Sequence, residues 1–308
     1  MEISDGDLAI LCAFALKVKT CMPSWTYSLL AHAFPKEAPP SLAKNHAHVS
    51  ALSGVEPIAF DCCVNSCCCY TGSYANIETC PFCNEPRYDS QGRSHSHFIY
   101  IPLLPQLVAL YHNRNMADKM QYRASYDHQQ DQVGDIFNGH IYQDLRKKEI
   151  EVDGQQLHCC YFSDPCDIAL GLSTDGFAPF RRWKMTAWPI IVYNFNLPPD
   201  IHFHHEYILC LGVVPGPKKP KDFDSFLWPA VEEFLRPILG TRAYDALQRE
   251  LFLLRAHLIV ISGDIPALSM LMHMKGHNGL SPCQMCKIKG LRVPDSRATT
   301  HYVPLDRR

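Results

Sequence analysis

The 308-residue chain is 47% apolar, enough for one large domain with an accessory module or for two domains, and sets the expectation of a folded, soluble protein. A net charge of −2 and a pI near 6.7 exclude a global basic field, so any nucleic-acid surface must be local. Fifteen cysteines are many for an intracellular protein and an odd number cannot all pair, which makes metal binding the leading explanation for them.

The run Leu8–Leu16 is too short to span a bilayer, and Glu2, Asp5 and Asp7 precede it where a signal peptide carries positive charge. It reads as a buried amphipathic helix in a protein that is neither secreted nor membrane-bound. Residues 1–57 form an N-terminal helical segment, with one or two helices ending in a Pro-rich loop at Phe34-Pro35 and Ala38-Pro39-Pro40.

Residues 58–92 change character. Seven of the fifteen cysteines fall here among turn residues with little periodicity, as in a small metal-stapled module. Residues 93–160 read as a helical connector, with a helical pattern at Gln106–Gln121 and a polar loop at Ser125–Gly134. There is no internal repeat.

Beyond about residue 136 the pattern is mixed α/β. Strands are predicted at Ile168–Ser173, Trp188–Phe195 and Glu206–Val214, then a helix over Phe223–Leu239 with Asp222 and Asp224 as capping candidates. A further helical stretch is expected at Ala243–Leu254, a buried strand at His257–Ser262, and a helix opening at Ile265-Pro266-Ala267. Asp175 follows the first strand and Asp264 the fourth. In a ribonuclease-H-like sheet those two strands lie side by side, so acids at their ends can share metal ions.

Three constellations carry chemistry. Cys63 and Cys67, then Cys80 and Cys83, present four thiolates on short turns that can converge on Zn²⁺. Cys62, Cys68 and Cys69 blur which thiols ligate, and buried free cysteines or disulfides are the alternative. Cys283 and Cys286 form a second closely spaced pair that His277 or His301 can complete as a zinc site, or that can be structural or redox-active instead. Asp175 and Asp264, taken singly, read as turn chemistry and as a helix N-cap; taken together they can hold Mg²⁺ or Mn²⁺ for in-line phosphoryl transfer. Arg181, Arg182, Lys218, Lys219 and Lys221 are ordinary solvated surface or local phosphate contacts, and Lys218–Lys221 also reads as a weak nuclear-import signal.

The stretches CVNSCCCYTGSYANIETCPFCNEPRYD, IALGLSTDGFAPF, WPIIVYNFNLPPDI, LGVVPGPKKPKDFDSFLWP, YDALQRELFLLRAHLIVISGDIPA and KGHNGLSPCQMCKIKG resemble the transposases of CACTA (En/Spm-type) DNA transposons, particularly the fungal members. The resemblance covers nearly the whole chain. It implies an α/β (α+β) fold: an incomplete ribonuclease-H-like mixed sheet with flanking helices over 161–308, plus a small N-terminal zinc-binding module. It implies an Asp-Asp-Glu metal triad using Mg²⁺ or Mn²⁺, structural zinc, and DNA partners that are transposon ends and target. Oligomerisation and nuclear localisation are expected; a membrane or small-molecule substrate is not.

Carried over by motif, Asp175 in STDGF is the first acid and Asp264 in GDIPA the second. Cys283 and Cys286 match the family's zinc-binding insertion at 276–301, whose histidines lie downstream, so the resemblance favours His301 over His277. No glutamate occurs after Glu250, so the third acid is missing and this polypeptide alone is expected not to cleave DNA. The alternative reading is a non-catalytic, zinc-dependent module that binds DNA or a protein, with a redox role for the CxxC pairs ranking third.

Overall fold

The computed structural model describes residues 3–36, 38–128, 134–152, 154–179, 185–276, 279–284 and 286–292. The chain divides into two compact units, Met1–Glu56 and Pro57–Arg308.

The first unit has three helices, α1 (Asp5–Lys19), α2 (Ser24–Ala33) and α3 (Leu42–Ser53). Ser4 starts α1 with a reciprocal capping box to Asp7, and the Asp7 carboxylate meets His48 Nε2 at 2.6 Å, tying α1 to α3. Buried Asn45 donates to Tyr27 Oη at 2.7 Å, tying α3 to α2. The expected burial of α1 is not seen: none of its residues is fully buried, and Leu8 and Leu16 stay about half exposed. A three-helix unit of this length has too little volume to enclose one of its own helices. A third helix, α3, also follows the Pro-rich loop.

The second unit is built on a mixed sheet. Its elements are β1 (Ile58–Asp61), β2 (His97–Tyr100), α4 (Leu103–Tyr111), α5 (Arg114–Lys119), α6 (Tyr122–Ser125), α7 (His140–Leu145), β3 (Glu149–Val152), β4 (Gln155–Cys160) and β5 (Ile168–Thr174). There follow β6 (Trp188–Asn194), β7 (Leu209–Val214), α8 (Asp224–Leu239), β8 (Thr241–Asp245), β9 (Glu250–Leu254), β10 (Ala256–Ser262) and α9 (Ile265–Leu271). Six strands share one sheet in the order β1-β2-β7-β6-β5-β10. β5, β6 and β7 run antiparallel in succession, and β10 lies parallel against β5.

Burial follows from this topology. β5 has sheet neighbours on both sides and helices over both faces, and its sequence is accordingly a continuous apolar run. Ile168, Leu170 and Leu172 join the larger core with Phe98, Leu103, Leu107 and Phe226 under α4 and α8. Ala169 points the other way, into a smaller core with Phe137, Tyr142, Phe162 and Phe195. Buried Glu233 of α8 accepts from the Leu103 and Leu104 amides at 2.7 Å each and from Tyr100 Oη, so one carboxylate caps α4 and locks it to both α8 and β2.

Two helical expectations change. Gln106–Gln121 is not one helix: Asn113 Oδ1 accepts from Met116 N at 3.1 Å, an N-cap that starts α5. Ala243–Leu254 is not a helix but the β8–β9 hairpin. The Asp245 carboxylate accepts from the Leu247 and Gln248 amides and Arg249 adopts φ 62°, so a tight turn replaces the helical register. Ala243 and Asp245 are buried while Arg242 and Tyr244 are exposed, a period of two that helical counting concealed.

Candidate metal centre and carboxylate edge

Two tight turns build the cysteine cluster. In the first, Cys63 N–H donates to Cys68 O at 2.9 Å, Ser66 N–H to Cys63 O at 2.7 Å, and Ser66 takes φ 59°. In the second, Cys80 N–H donates to Glu85 O and Asn84 N–H to Cys80 O, both at 2.9 Å, with Asn84 at φ 58°. Each turn points two sulfurs inward, and the sulfurs of Cys63, Cys67, Cys80 and Cys83 all lie within 4.8 Å of one another. Tetrahedral zinc with Zn–S bonds of about 2.3 Å holds its sulfurs about 3.8 Å apart. The four-cysteine cluster is thus able to hold a metal ion and fits structural zinc. Among the described residues it is the one such group of three or more.

The extra cysteines now separate. Cys62 and Cys69 face the main core, whereas Cys68 sits behind the cluster with its sulfur 4.0 Å from that of Cys80. Burial pushes the Cys63 thiol up to about 11 and Cys67 and Cys68 higher still, and neighbouring thiols add to the rise at the latter two. At Cys83 burial also opposes ionisation, but hydrogen bonds from the Glu85 amide, Asn65 and the Cys63 and Cys80 thiols bring it down to about 7. Four thiols this close ionise together only when a cation offsets their repulsion.

The cluster is joined to the sheet unit. Lys221 and Asp222 N–H both donate to Cys67 O at 2.9 Å, and Cys69 N–H donates to Ser225 Oγ at 2.9 Å in the first turn of α8. The segment also continues through β1 and β2 into the six-stranded sheet.

The carboxylate edge lies where β5 and β10 end together. Ser173 pairs with Ser262 in parallel register, so Asp175 and Asp264 each follow two residues beyond the last paired position of neighbouring strands. Such strands run about 4.8 Å apart. A Cβ at Gly263 would lie 3.2 Å from Thr174 O, which shows how closely the chain leaving β10 abuts the chain leaving β5 one residue before each acid. Both aspartates are exposed. Asp264 is also the N-cap of α9, its Oδ1 accepting from Ala267 N at 2.7 Å; no described residue hydrogen-bonds its Oδ2.

Behind Asp175 the floor is Trp188. Gly176 rests so closely on the indole that any Cβ there would collide with it, and the Lys219 ammonium stands 5.3 Å from the Trp188 ring centroid. Sequence reading missed Trp188, Gly176 and Gly263. Only close backbone approach marks them, and a lone glycine in a turn carries no sign of that.

Lys218, Lys219 and Lys221 are exposed on the loop between β7 and α8. Arg181 and Arg182 lie outside the described residues, between the paired residues Phe177 and Ala187. Cys283 is partly buried and Cys286 exposed, and neither joins a group of three ligand atoms among the described residues; His277 and His301 lie outside them. No described helix is long and apolar enough to cross a membrane.

The comparison with curated proteins gave no match. Residues 147–303, just over half of the chain, match the model of the transposase family tnp2; the matched span runs from just before β3 past α9 and so takes in both ends of the carboxylate edge. The chain belongs to the transposase family tnp2.

Proposed function

We propose that residues 161–308 belong to the ribonuclease-H-like core of a CACTA-type cut-and-paste transposase, with Asp175 and Asp264 as two of its metal ligands. The observation that carries this reading is the parallel β5–β10 register, which brings two acids to one sheet edge from positions 89 residues apart in sequence. Asp175 and Asp264 would hold a Mg²⁺ or Mn²⁺ ion there, which would supply positive charge for activating a water or 3′-hydroxyl and for stabilising a leaving oxygen. The donors suit such a cation: hard carboxylate oxygens, open to solvent, with the second oxygen of Asp264 left over from its capping role.

The chain's own residues have distinct tasks. Asp264 holds α9 and a ligand oxygen at once, so the rigid helix start fixes the direction of the carboxylate. Lys219, steadied over Trp188, contacts a backbone phosphate approaching Asp175, with Lys218 and Lys221 on the same loop extending that path; Arg181 and Arg182, outside the described residues, are further proposed DNA contacts. The cysteine cluster fixes the loop before α8 rather than taking part in chemistry, because Cys67 O anchors the amides of Lys221 and Asp222 beside those lysines. Transposon ends and target DNA are the proposed partners, self-association and the nucleus the proposed setting.

No acid among the described residues joins Asp175 and Asp264 as a third ligand. No glutamate follows Glu250 in these 308 residues, and on the Asp-Asp-Glu reading this polypeptide by itself is expected to bind DNA and a divalent ion without nicking. Iron-directed cleavage tests the site: Fe²⁺ with ascorbate and peroxide should cut the polypeptide next to both Asp175 and Asp264, with excess Mg²⁺ suppressing the cuts. Cuts at only one of the two, or at neither, would sink the shared site. The preassembled cysteine cluster also supports the second reading, a zinc-dependent DNA-binding module. That reading gains if salt-dependent DNA affinity is unchanged by Asp175→Asn and needs no Mg²⁺.

A further inference from the structure

A second polar site lies at the other end of β5. An open cavity of about 270 Å³ is lined by Arg123, Arg146 and His128 together with the rings of Tyr126, Tyr142 and Phe162. β5 carries the chain roughly 23 Å from this region to Asp175, so the cavity is no part of the carboxylate edge.

Its chemistry is an excess of donors. Arg123 is 4% exposed, and its guanidinium donates to the carbonyls of Asp164, Pro165 and Asp167 and to Tyr142 Oη, all neutral acceptors. Neither Arg123 nor Arg146 has a carboxylate within ion-pair distance among the described residues. Arg146 Nη1 stands 3.3 Å from His128 Nε2, and Gln143 Nε2 stands 3.1 Å from His128 Nδ1, so donors face both ring nitrogens. A neutral imidazole can accept from only one of them. Burial, then the Arg146 charge, lowers the His128 pKa, which keeps the ring neutral and the mismatch in place.

The surroundings add to this. Lys147 and Lys148 follow Arg146 directly, and all three are exposed at the end of α7. Asp127 and Asp144 are exposed on the flanking segments, Asp164 lies between the lining residues Ser163 and Pro165, and the buried Asp167 feels the Arg123 charge; none of the four lines the cavity. A concave site with one buried and one exposed guanidinium, aromatic walls and no lining acid among the described residues suits an anion carried next to a flat ring.

We infer that this cavity binds a phosphate of a nucleic-acid strand, with Arg146 as the contacting cation, Arg123 as the fixed positive floor and Tyr126 beside the adjoining sugar or base. The inference stands apart from the carboxylate edge: it requires neither Asp175 nor Asp264.

The test is fluorescence anisotropy of a labelled 12-nucleotide single strand on the full 308-residue chain across a salt series, with inorganic phosphate as competitor. Arg146→Gln, exposed and away from either core, should weaken binding about tenfold and lower the salt slope by about 0.7. Arg146→Lys should recover part of the loss. Millimolar phosphate should compete in the parent and not in Arg146→Gln, and the Asp175→Asn/Asp264→Asn double variant should keep the full dependence on Arg146. Unchanged affinity and slope in Arg146→Gln, or no strand binding at all, would overturn the inference. Phosphate binding that depends on Arg146 while strand affinity does not would also overturn it, leaving a site for free phosphate.

Discussion

The cysteine cluster and the carboxylate edge are both candidate metal sites, but they are assembled in opposite ways. Four sulfurs are held inside two tight turns by their own backbone hydrogen bonds, and three of the four cysteines are buried. Two exposed carboxylates are held only by the register of β5 against β10 and by one helix cap. The first arrangement fixes its ligands before any ion arrives and suits a permanent structural ion. The second leaves oxygens open to water and suits an ion that exchanges with substrate.

Substitutions can break this contrast, beginning with the largest effect. Cys80→Ser removes a wholly buried ligand and should drop bound zinc below one equivalent per chain by elemental analysis. Urea unfolding should show a loss on the order of 5 kcal/mol, part of the roughly 10–16 kcal/mol that structural zinc supplies. Gly176→Val forces a side chain onto Trp188 and should cost about 1–3 kcal/mol, visible as a shifted indole emission, with zinc content unchanged.

At Asp264 the two roles separate. Asp264→Ala loses the α9 cap and should cost about 1 kcal/mol, whereas Asp264→Asn keeps the cap and should leave stability almost unchanged while both weaken Mn²⁺ binding. Lys219→Ala has the smallest expected effect. It should leave zinc and Mn²⁺ binding alone and reduce the salt slope for duplex binding by about one.

Legibility in the sequence differed for the two sites for a physical reason. The cysteines announce themselves because thiolate ligands come in pairs on short turns, so spacing alone carries the signal; only the roles of Cys62, Cys68 and Cys69 needed coordinates. The aspartates are 89 residues apart, and their juxtaposition depends on β10 lying parallel to β5, which element order suggests but residue spacing does not. Apolar runs located β5, β6, β7 and β10 well, since the first three are largely buried on at least one face and β10 is buried where it starts. The β8–β9 hairpin was misread because Ala243, Leu247, Leu251 and Leu254 also satisfy a helical repeat, and only the Asp245 turn decides between them. The cavity at Arg123 and Arg146 left no sequence pattern, because its lining comes from three separate segments.

The central claim is that Asp175 and Asp264 share a divalent ion. The most direct measurement is Mn²⁺ titration followed by electron paramagnetic resonance on the zinc-loaded chain, its Asp175→Asn and Asp264→Asn variants, and the double variant. The account predicts one class of weak Mn²⁺ site in the parent, weakened at least tenfold by either single change and no further by the double. Equal Mn²⁺ binding in all four proteins, or two independent losses that add in the double variant, would contradict it.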